Sequence, residues 1–328
     1  MEKLIAQFPK HISDALEIAR NTSFNKIAPG KFTNVVICGM GGSGIGGKMI
    51  SQWFSQEAQV PISLVQSYQV PGFVDSKTLV IGSSYSGNTE ETISAIEDAL
   101  EKGATIAGVC SGGKLYKFCQ QHQFDVVKVP GGNPPRSMLA FSVVQLVNIL
   151  AVAGIIEKEA LNKIDHCRHL LNKELIQIKE TAKDLADFCK NKQVIIYTSS
   201  DNESIGIRCR QQINENAKQL CWHHVIPEMN HNELVGWGGG DDRYAALFLK
   251  SQFLSDRNKL RFDLSVKVIG SKTTHLMEIN PKGESIFEET FYLIHIIDWA
   301  SIYLARHNNQ DPIEIEVIDF LKGSLEKA

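Results

Sequence analysis

The chain has 328 residues, 43% apolar and 22% charged, with a formal net charge of −3, which is enough for a large core and about two globular domains. Its charges are dispersed without a basic stripe, which points away from nucleic acid and toward small molecules. The opening residues carry no signal-type apolar run, no stretch of about 18 apolar residues offers a bilayer span, and the seven cysteines are scattered without a Cys-x-x-Cys pair. The reading is a cytoplasmic chain with reduced thiols, in which Cys38 fills a strand core.

Leu4, Ile5, Phe8, Ile12, Ala15, Leu16 and Ala19 recur at helical spacing around Pro9, so helix precedes the first strand. Asn34–Cys38 is a fully apolar strand that runs into Gly39-Met-Gly-Gly-Ser-Gly-Ile-Gly-Gly47, read as a loop, with a helix expected over 48–54. Ile62–Val65, Thr78–Ser83, 104–109 and 126–129 read as strands; Ile93, Ile96 and Leu100, with Ala95 and Ala99, form a helical stripe. After turn formers at 130–136 comes a strongly apolar helix over 137–153. Residues 157–190 are charged and helical in period, and read as a connection in which His166, Cys167 and His169 face solvent.

A second unit then repeats the alternation. Its expected elements are a strand over 194–200, a helix over 205–220 that buries Ile205, Cys209, Ile213, Ala217 and Leu220, strands at 244–249 and 266–269, and an apolar helix over 291–305. The class predicted is α/β, with two αβα sandwich domains over 1–153 and 191–328, mostly parallel doubly wound sheets, and a helical connection over 154–190.

The stretch Ser83 to Thr89 is a strand-to-helix turn. It offers backbone N–H groups at a helix start together with the hydroxyls of Ser84, Ser86 and Thr89, a phosphate site built without a cation. Gly87 permits a tight backbone there. A capping role for Ser86 or Asn88 would need only one such residue, whereas the turn holds a run of donors.

Gly39-x-Gly41-x-x-Gly44 matches the dinucleotide fingerprint and brings a nicotinamide dehydrogenase into consideration. The next strand, however, runs into Gln66-Ser-Tyr68 and lacks the acidic residue that would hold the ribose. Gly41, Gly42 and Ser43 are therefore read as a wall that lets a polar ligand approach closely. Glu215, in Gln211-Gln-Ile-Asn-Glu-Asn-Ala-Lys218, reads on its own as a solvated residue paired with Lys218. His223, His224, His231 and Glu233 match no metal-ligand spacing, and no metal is expected.

Taken together, Gly39-Met-Gly-Gly-Ser-Gly44, Ser84-Tyr-Ser-Gly-Asn-Thr89, Asn214-Glu-Asn-Ala-Lys218, Pro227-Glu-Met-Asn-His-Asn232 and Ile318-Asp-Phe-Leu-Lys322 resemble the two-SIS-domain sugar isomerases that act on phosphoglucose and phosphomannose. The resemblance spans nearly the whole chain. It implies that Ser84, Ser86 and Thr89 hold a sugar phosphate, Glu215 moves a proton between C1 and C2, Arg136 supports the enediolate, and His231 with Lys322 opens the sugar ring. It further implies a homodimer with shared active sites, the histidine coming from the partner, and no metal or redox cofactor.

These residue types suit the chemistry. The base must be ionised enough to take a C–H proton and basic enough to return it, a balance that partial burial provides. A guanidinium stabilises the negative charge of an enediolate, and an imidazole ordinarily titrates near neutral pH. Where the family often has a threonine near the proline before the C-terminal lysine, this chain has Asp311-Pro-Ile-Glu-Ile-Glu316, so Ile313 and Ile315 bear on whether the mannose epimer is accepted. A non-catalytic sugar-phosphate sensor would need the phosphate loop but no base.

Overall fold

The computed structural model describes residues 1–325 and 327. The chain forms two compact units, one of residues 6–174 and 282–292, the other of residues 1–5, 175–281 and 293 onward.

After α1 (Glu2–Ala6) and α2 (Phe8–Asn21), the first unit builds one sheet from β1 (Asn34–Cys38), β2 (Ile62–Val65), β3 (Thr78–Ser83), β4 (Thr105–Cys110) and β5 (Asp125–Lys128). Its order is β2-β1-β3-β4-β5, and every neighbouring pair is parallel. β3 and β4 are buried along their whole length, as continuous apolar strands of a parallel sheet are. The crossovers are α3 (Gly41–Trp53), α4 (Glu90–Glu101) and α5 (Gly113–Gln121); α6 (Leu139–Val152) and α7 (Ala160–Lys173) follow. α6 is apolar almost all round, and its buried amides find carbonyls on α2: Gln145 Nε2 donates to Ala15 O at 2.7 Å and Asn148 Nδ2 to Ala19 O at 3.3 Å.

The first correction concerns the glycine-rich stretch, which is mostly helix rather than loop, since α3 begins at Gly41. Each glycine costs about 1 kcal/mol of helix propensity, and tertiary packing overrides that cost. A Cβ at Gly44 would stand 2.5 Å from Gly39 O, and one at Gly47 would stand 2.8 Å from Leu64 and 2.9 Å from Ile37. The glycines let the helix lie directly on β1 and β2.

The second unit contains α8 (Leu175–Cys189), β6 (Gln193–Ser199), α9 (Glu203–Ala217), β7 (Cys221–Ile226), α10 (Glu233–Gly236), β8 (Tyr244–Leu249), α11 (Asp256–Gly270) and β9 (Leu276–Ile279). α12 (Ile286–His307) gives residues 286–292 to the first unit and the rest to the second, which ends with α13 (Glu316–Leu325). The sheet order is β7-β6-β8-β9, again all parallel. Tyr197, Ile226, Met229, Phe248, Phe262 and Ile269 share its core.

Three further expectations are corrected. Residues 266–269 are not a strand but the end of α11, which Ser255 caps by accepting from Asn258 N at 3.3 Å and which buries Phe262, Ser265 and Ile269 at helical spacing. Leu220 lies beyond the end of α9 and is 75% exposed. Cys167 is buried in α7, whereas His166 and His169 on the same helix are exposed. All seven cysteines are free and buried, and burial pushes the thiols of Cys38, Cys119 and Cys221 up to about 12 and that of Cys110 to about 11. Among the described residues, no helix is long and apolar enough to cross a membrane.

Candidate functional site

In the first unit the connections leave β1 and β3 toward opposite edges of the sheet, which opens a crevice outside the carboxyl ends of those strands. The segments at that point are Gly39 to Ser43 and Ser84 to Thr89. Ser84 is buried, and its Oγ lies 2.8 Å from Thr89 Oγ1 and accepts from Gly87 N at 3.1 Å. Ser86 is exposed, and its Oγ accepts from Asn88 N at 3.2 Å. Gly87 has φ +71°, and a Cβ there would meet Gly112 O at 1.8 Å, so only glycine fits.

Thr89 occupies the N-cap position of α4, while neither Ser86 nor Asn88 caps it; the Asn88 carboxamide instead accepts from Lys114 N at 3.0 Å. Glu90 and Glu91 stand in the first turn of α4 and share its dipole, so the groups this turn offers a ligand are its backbone amides and hydroxyls. The first-unit residues are brought together. Ser43 Oγ accepts from Tyr85 N at 3.2 Å. A Cβ on Gly42 would lie 3.5 Å from Pro135 O and 3.6 Å from Arg136 Cα, while Gly41 borders open space at φ +49°. Arg136 is 3% exposed, in a tight turn that Ser137 Oγ closes by donating to Pro134 O at 2.7 Å.

In the second unit Glu215, His231 and Lys322 stand on three elements: the last turn of α9, the turn Glu228–His231 after β7, and α13. Glu215 is half-buried, and His231 and Lys322 are exposed. Sequence paired Glu215 with Lys218. In the structure Lys218 Nζ donates to the backbone carbonyl of Glu215 at 2.9 Å, and to those of Asp311 and Glu314 at 2.7 Å each. One ammonium thus ties the segment before α13, which holds Ile313, to the turn that carries Glu215.

The register of α9 is set by a polar seam on α12. Arg208, 1% exposed, donates to Asp298 from Nη2 at 2.9 Å to each carboxylate oxygen, and Gln212 Nε2 donates to Asp298 Oδ1 at 2.6 Å. One turn on, Asn216 Nδ2 donates to Ser301 Oγ at 2.9 Å. Burial pushes the Asp298 carboxyl up, and Arg208 and Gln212 partly offset it.

Sequence reasoning missed Tyr85, whose carbonyl accepts from Ser111 Oγ at 2.7 Å and whose hydroxyl accepts from Asn133 N at 3.3 Å, stitching the phosphate-type loop to its neighbours. Its place inside Ser84-Tyr-Ser-Gly-Asn-Thr89 is the only signal it left. His224 and Glu233, rejected as metal ligands, bond each other at 2.8 Å; among the described residues no cluster of His, Cys, Asp and Glu suits a metal ion.

Comparison with known proteins places both units in one family. Residues 31–146 match the SIS domain, and residues 178–325 match the bacterial phospho-glucose isomerase C-terminal SIS domain. The chain is a two-SIS-domain α/β protein. It is 36% identical over 335 residues to a bifunctional phosphoglucose/phosphomannose isomerase of Caldicellulosiruptor bescii, covering 99% of this chain and 98% of that one. It belongs to the bifunctional phosphoglucose/phosphomannose isomerase family. A D-glucosamine-6-phosphate 4-epimerase of Sulfolobus acidocaldarius is 32% identical over 85% of each chain. In fold, the C-terminal domain of glucosamine-fructose-6-phosphate aminotransferase from Francisella tularensis superposes with a TM-score of 0.77 at 14% identity, covering 96% of this chain and 98% of that one.

Proposed function

We propose that this chain is an aldose–ketose isomerase that interconverts glucose 6-phosphate, and with it mannose 6-phosphate, with fructose 6-phosphate through a cis-enediolate. The observation that carries this reading is the crevice of the first unit, where the hydroxyls of Ser84, Ser86 and Thr89 and the first-turn amides of α4 adjoin Gly42, Ser43 and the turn of Arg136. These groups hold a phosphate and supply positive charge to a developing enediolate. Glu215 takes the proton from C2 of the aldose and returns it to C1; His231 and Lys322 move the protons that open the ring. A sensor needs none of Glu215, His231, Lys322 and Arg136, and the names of the relatives support the isomerase over it.

The reaction as written calls on no metal or redox cofactor. A homodimer with shared active sites completes the proposal, His231 being contributed across the interface, and α13 supports it: Val317, Phe320 and Leu321 are 81%, 77% and 57% exposed. The substrate is a cytoplasmic metabolite in this reading.

A coupled assay from fructose 6-phosphate in EDTA, detecting glucose 6-phosphate and mannose 6-phosphate separately, tests the function. Both products are expected. Glucose 6-phosphate alone would mean that Ile313 and Ile315 exclude the mannose epimer. Neither product, with phosphosugar still bound, would transfer the chain to the sensor class or to a different phosphosugar, such as the amino sugar acted on by the Sulfolobus relative.

A further inference from the structure

His231 differs from every residue around it. Met229 is fully buried. Asn230 Nδ2 donates to Ser265 Oγ on α11 at 2.8 Å, and Asn230 Oδ1 accepts from Arg261 Nη1 at 3.3 Å. Asn232 accepts from Glu233 N at 2.6 Å and donates to Glu228 Oε1 at 2.9 Å. Between those pinned neighbours the imidazole of His231 is left exposed.

The strongest tie in the segment is the Glu233 carboxylate. Tyr197 on β6 and His224 on β7 are cross-strand partners in the parallel register. One Glu233 oxygen accepts from the Tyr197 hydroxyl at 2.5 Å, and the other lies 2.8 Å from His224 Nδ1. Trp237 Nε1 donates to the Tyr197 oxygen at 2.7 Å, closing the chain of bonds from the far side. Tyr197 and Trp237 are 0% and 4% exposed, and burial together with the Glu233 charge pushes the Tyr197 hydroxyl up, so it remains a donor.

Met229 is in the core and Leu234 packs against it, but farther on a Cβ at Gly236, Gly238 or Gly239 would meet nothing within 4 Å. On the C-terminal side of His231 the segment is anchored by Leu234, by the charge-assisted bonds of Glu233 and by the buried Trp237 ring.

We propose that Glu233 is the positioning residue for His231: held by Tyr197 and His224, with Trp237 bonded to the Tyr197 oxygen behind them, it fixes where the imidazole is presented for ring opening. The inference rests on the ring-opening role given above to His231. A residue acting only through His231 has no effect once His231 is gone, whereas a general loss of structure adds to it.

The test is a double-mutant cycle on fructose 6-phosphate turnover by the full-length protein. Glu233→Ala is expected to lower kcat/KM by about 10²-fold, the cost of misplacing a reacting group by about 1 Å. Glu233→Gln, which can still accept from Tyr197 and donate to His224, is expected to recover most of that loss. The double variant His231→Ala/Glu233→Ala is expected to be no slower than His231→Ala. Losses that multiply in the double variant, or a folded Glu233→Ala protein of full activity, would overturn the proposal. If Glu233→Ala does not fold by circular dichroism, Tyr197→Phe, which removes one of the two bonds to the Glu233 carboxylate, carries the same comparison against His231→Ala. An unimpaired His231→Ala protein would instead overturn the role of His231, a different failure visible before any Glu233 variant is compared.

Discussion

Removing Asp298 should destabilise the second unit more than any surface substitution, because it takes the carboxylate away from a buried guanidinium. Arg208 is 1% exposed and reaches Asp298 through Nη2 at 2.9 Å to both oxygens, with Nε at 3.2 Å from Oδ1. Taking away one partner of such a pair costs about 3–5 kcal/mol, since the remaining charge keeps its desolvation penalty and loses its counter-charge. At roughly 2–4 °C per kcal/mol for a unit of this size, Asp298→Ala should lower the melting midpoint by about 10 °C. Replacing the pair together, Arg208→Met with Asp298→Leu, should recover most of that loss, because neither charge is then buried, leaving about 1–3 kcal/mol for the Gln212 carboxamide that loses its acceptor. Thermal melts of the parent, Asp298→Ala, Asp298→Leu, Arg208→Met and the double variant, followed by far-UV circular dichroism with urea titrations alongside, give the cycle directly. If Asp298→Ala melts within about 2 °C of the parent, or the double variant melts below either single one, the seam does not hold α9 as described. The same seam sets the register of the turn bearing Glu215, so Asp298→Ala should also reduce turnover at temperatures where it remains folded.

Other substitutions probe separate parts of the molecule. Glu215→Gln should cut isomerisation by about 10²–10⁴-fold with little change in substrate binding; undiminished turnover would remove Glu215 from the mechanism. Gly44→Ala should cost about 1–3 kcal/mol in a denaturant titration, since its Cβ would press on Gly39 O at 2.5 Å, and a neutral result would mean that α3 can lift from the sheet. His295 is fully buried and its imidazole is pushed down to about 4, chiefly by burial. Unfolded, it takes up its proton near pH 6.5, so its contribution is complete above that pH and is lost as pH falls toward 4, about 3 kcal/mol in all. His295→Gln, whose carboxamide can still accept from Trp299 Nε1, should flatten the acid limb of stability between pH 6.5 and 4; an unchanged limb would assign the acid sensitivity elsewhere.

The central strands were legible because burial on both faces writes them as unbroken apolar runs: Asn34–Cys38, Thr78–Ser83 and Tyr244–Leu249 have the expected bounds. The strands that went unread, β7 and β9, are the two edges of the second sheet. Half-exposed edges need no continuous apolar code, and Trp222-His-His224 supplies none. At 266–269 the β-branched residues outweighed a helical period visible only over the longer span of α11. For the site, the local pattern pointed to the phosphate-type loop, while Glu215 was singled out only through the family resemblance of its segment. The Lys218 clasp and the Glu233 network were not legible, because their partners lie 93 and 96 residues away in one case and 36 in the other. No spacing rule connects such positions before the chain has folded.

The buried cysteines make the protein its own reporter of opening. An alkylating reagent needs an exposed thiolate, and the folded chain offers none of its seven thiols on the surface. Cys38, Cys110, Cys119 and Cys167 belong to the first unit, and Cys189, Cys209 and Cys221 to the second. Pulsed alkylation followed by peptide mass spectrometry would therefore time the two units separately, without a dye or an introduced residue, and equal rates for the two sets would mark a single cooperative opening.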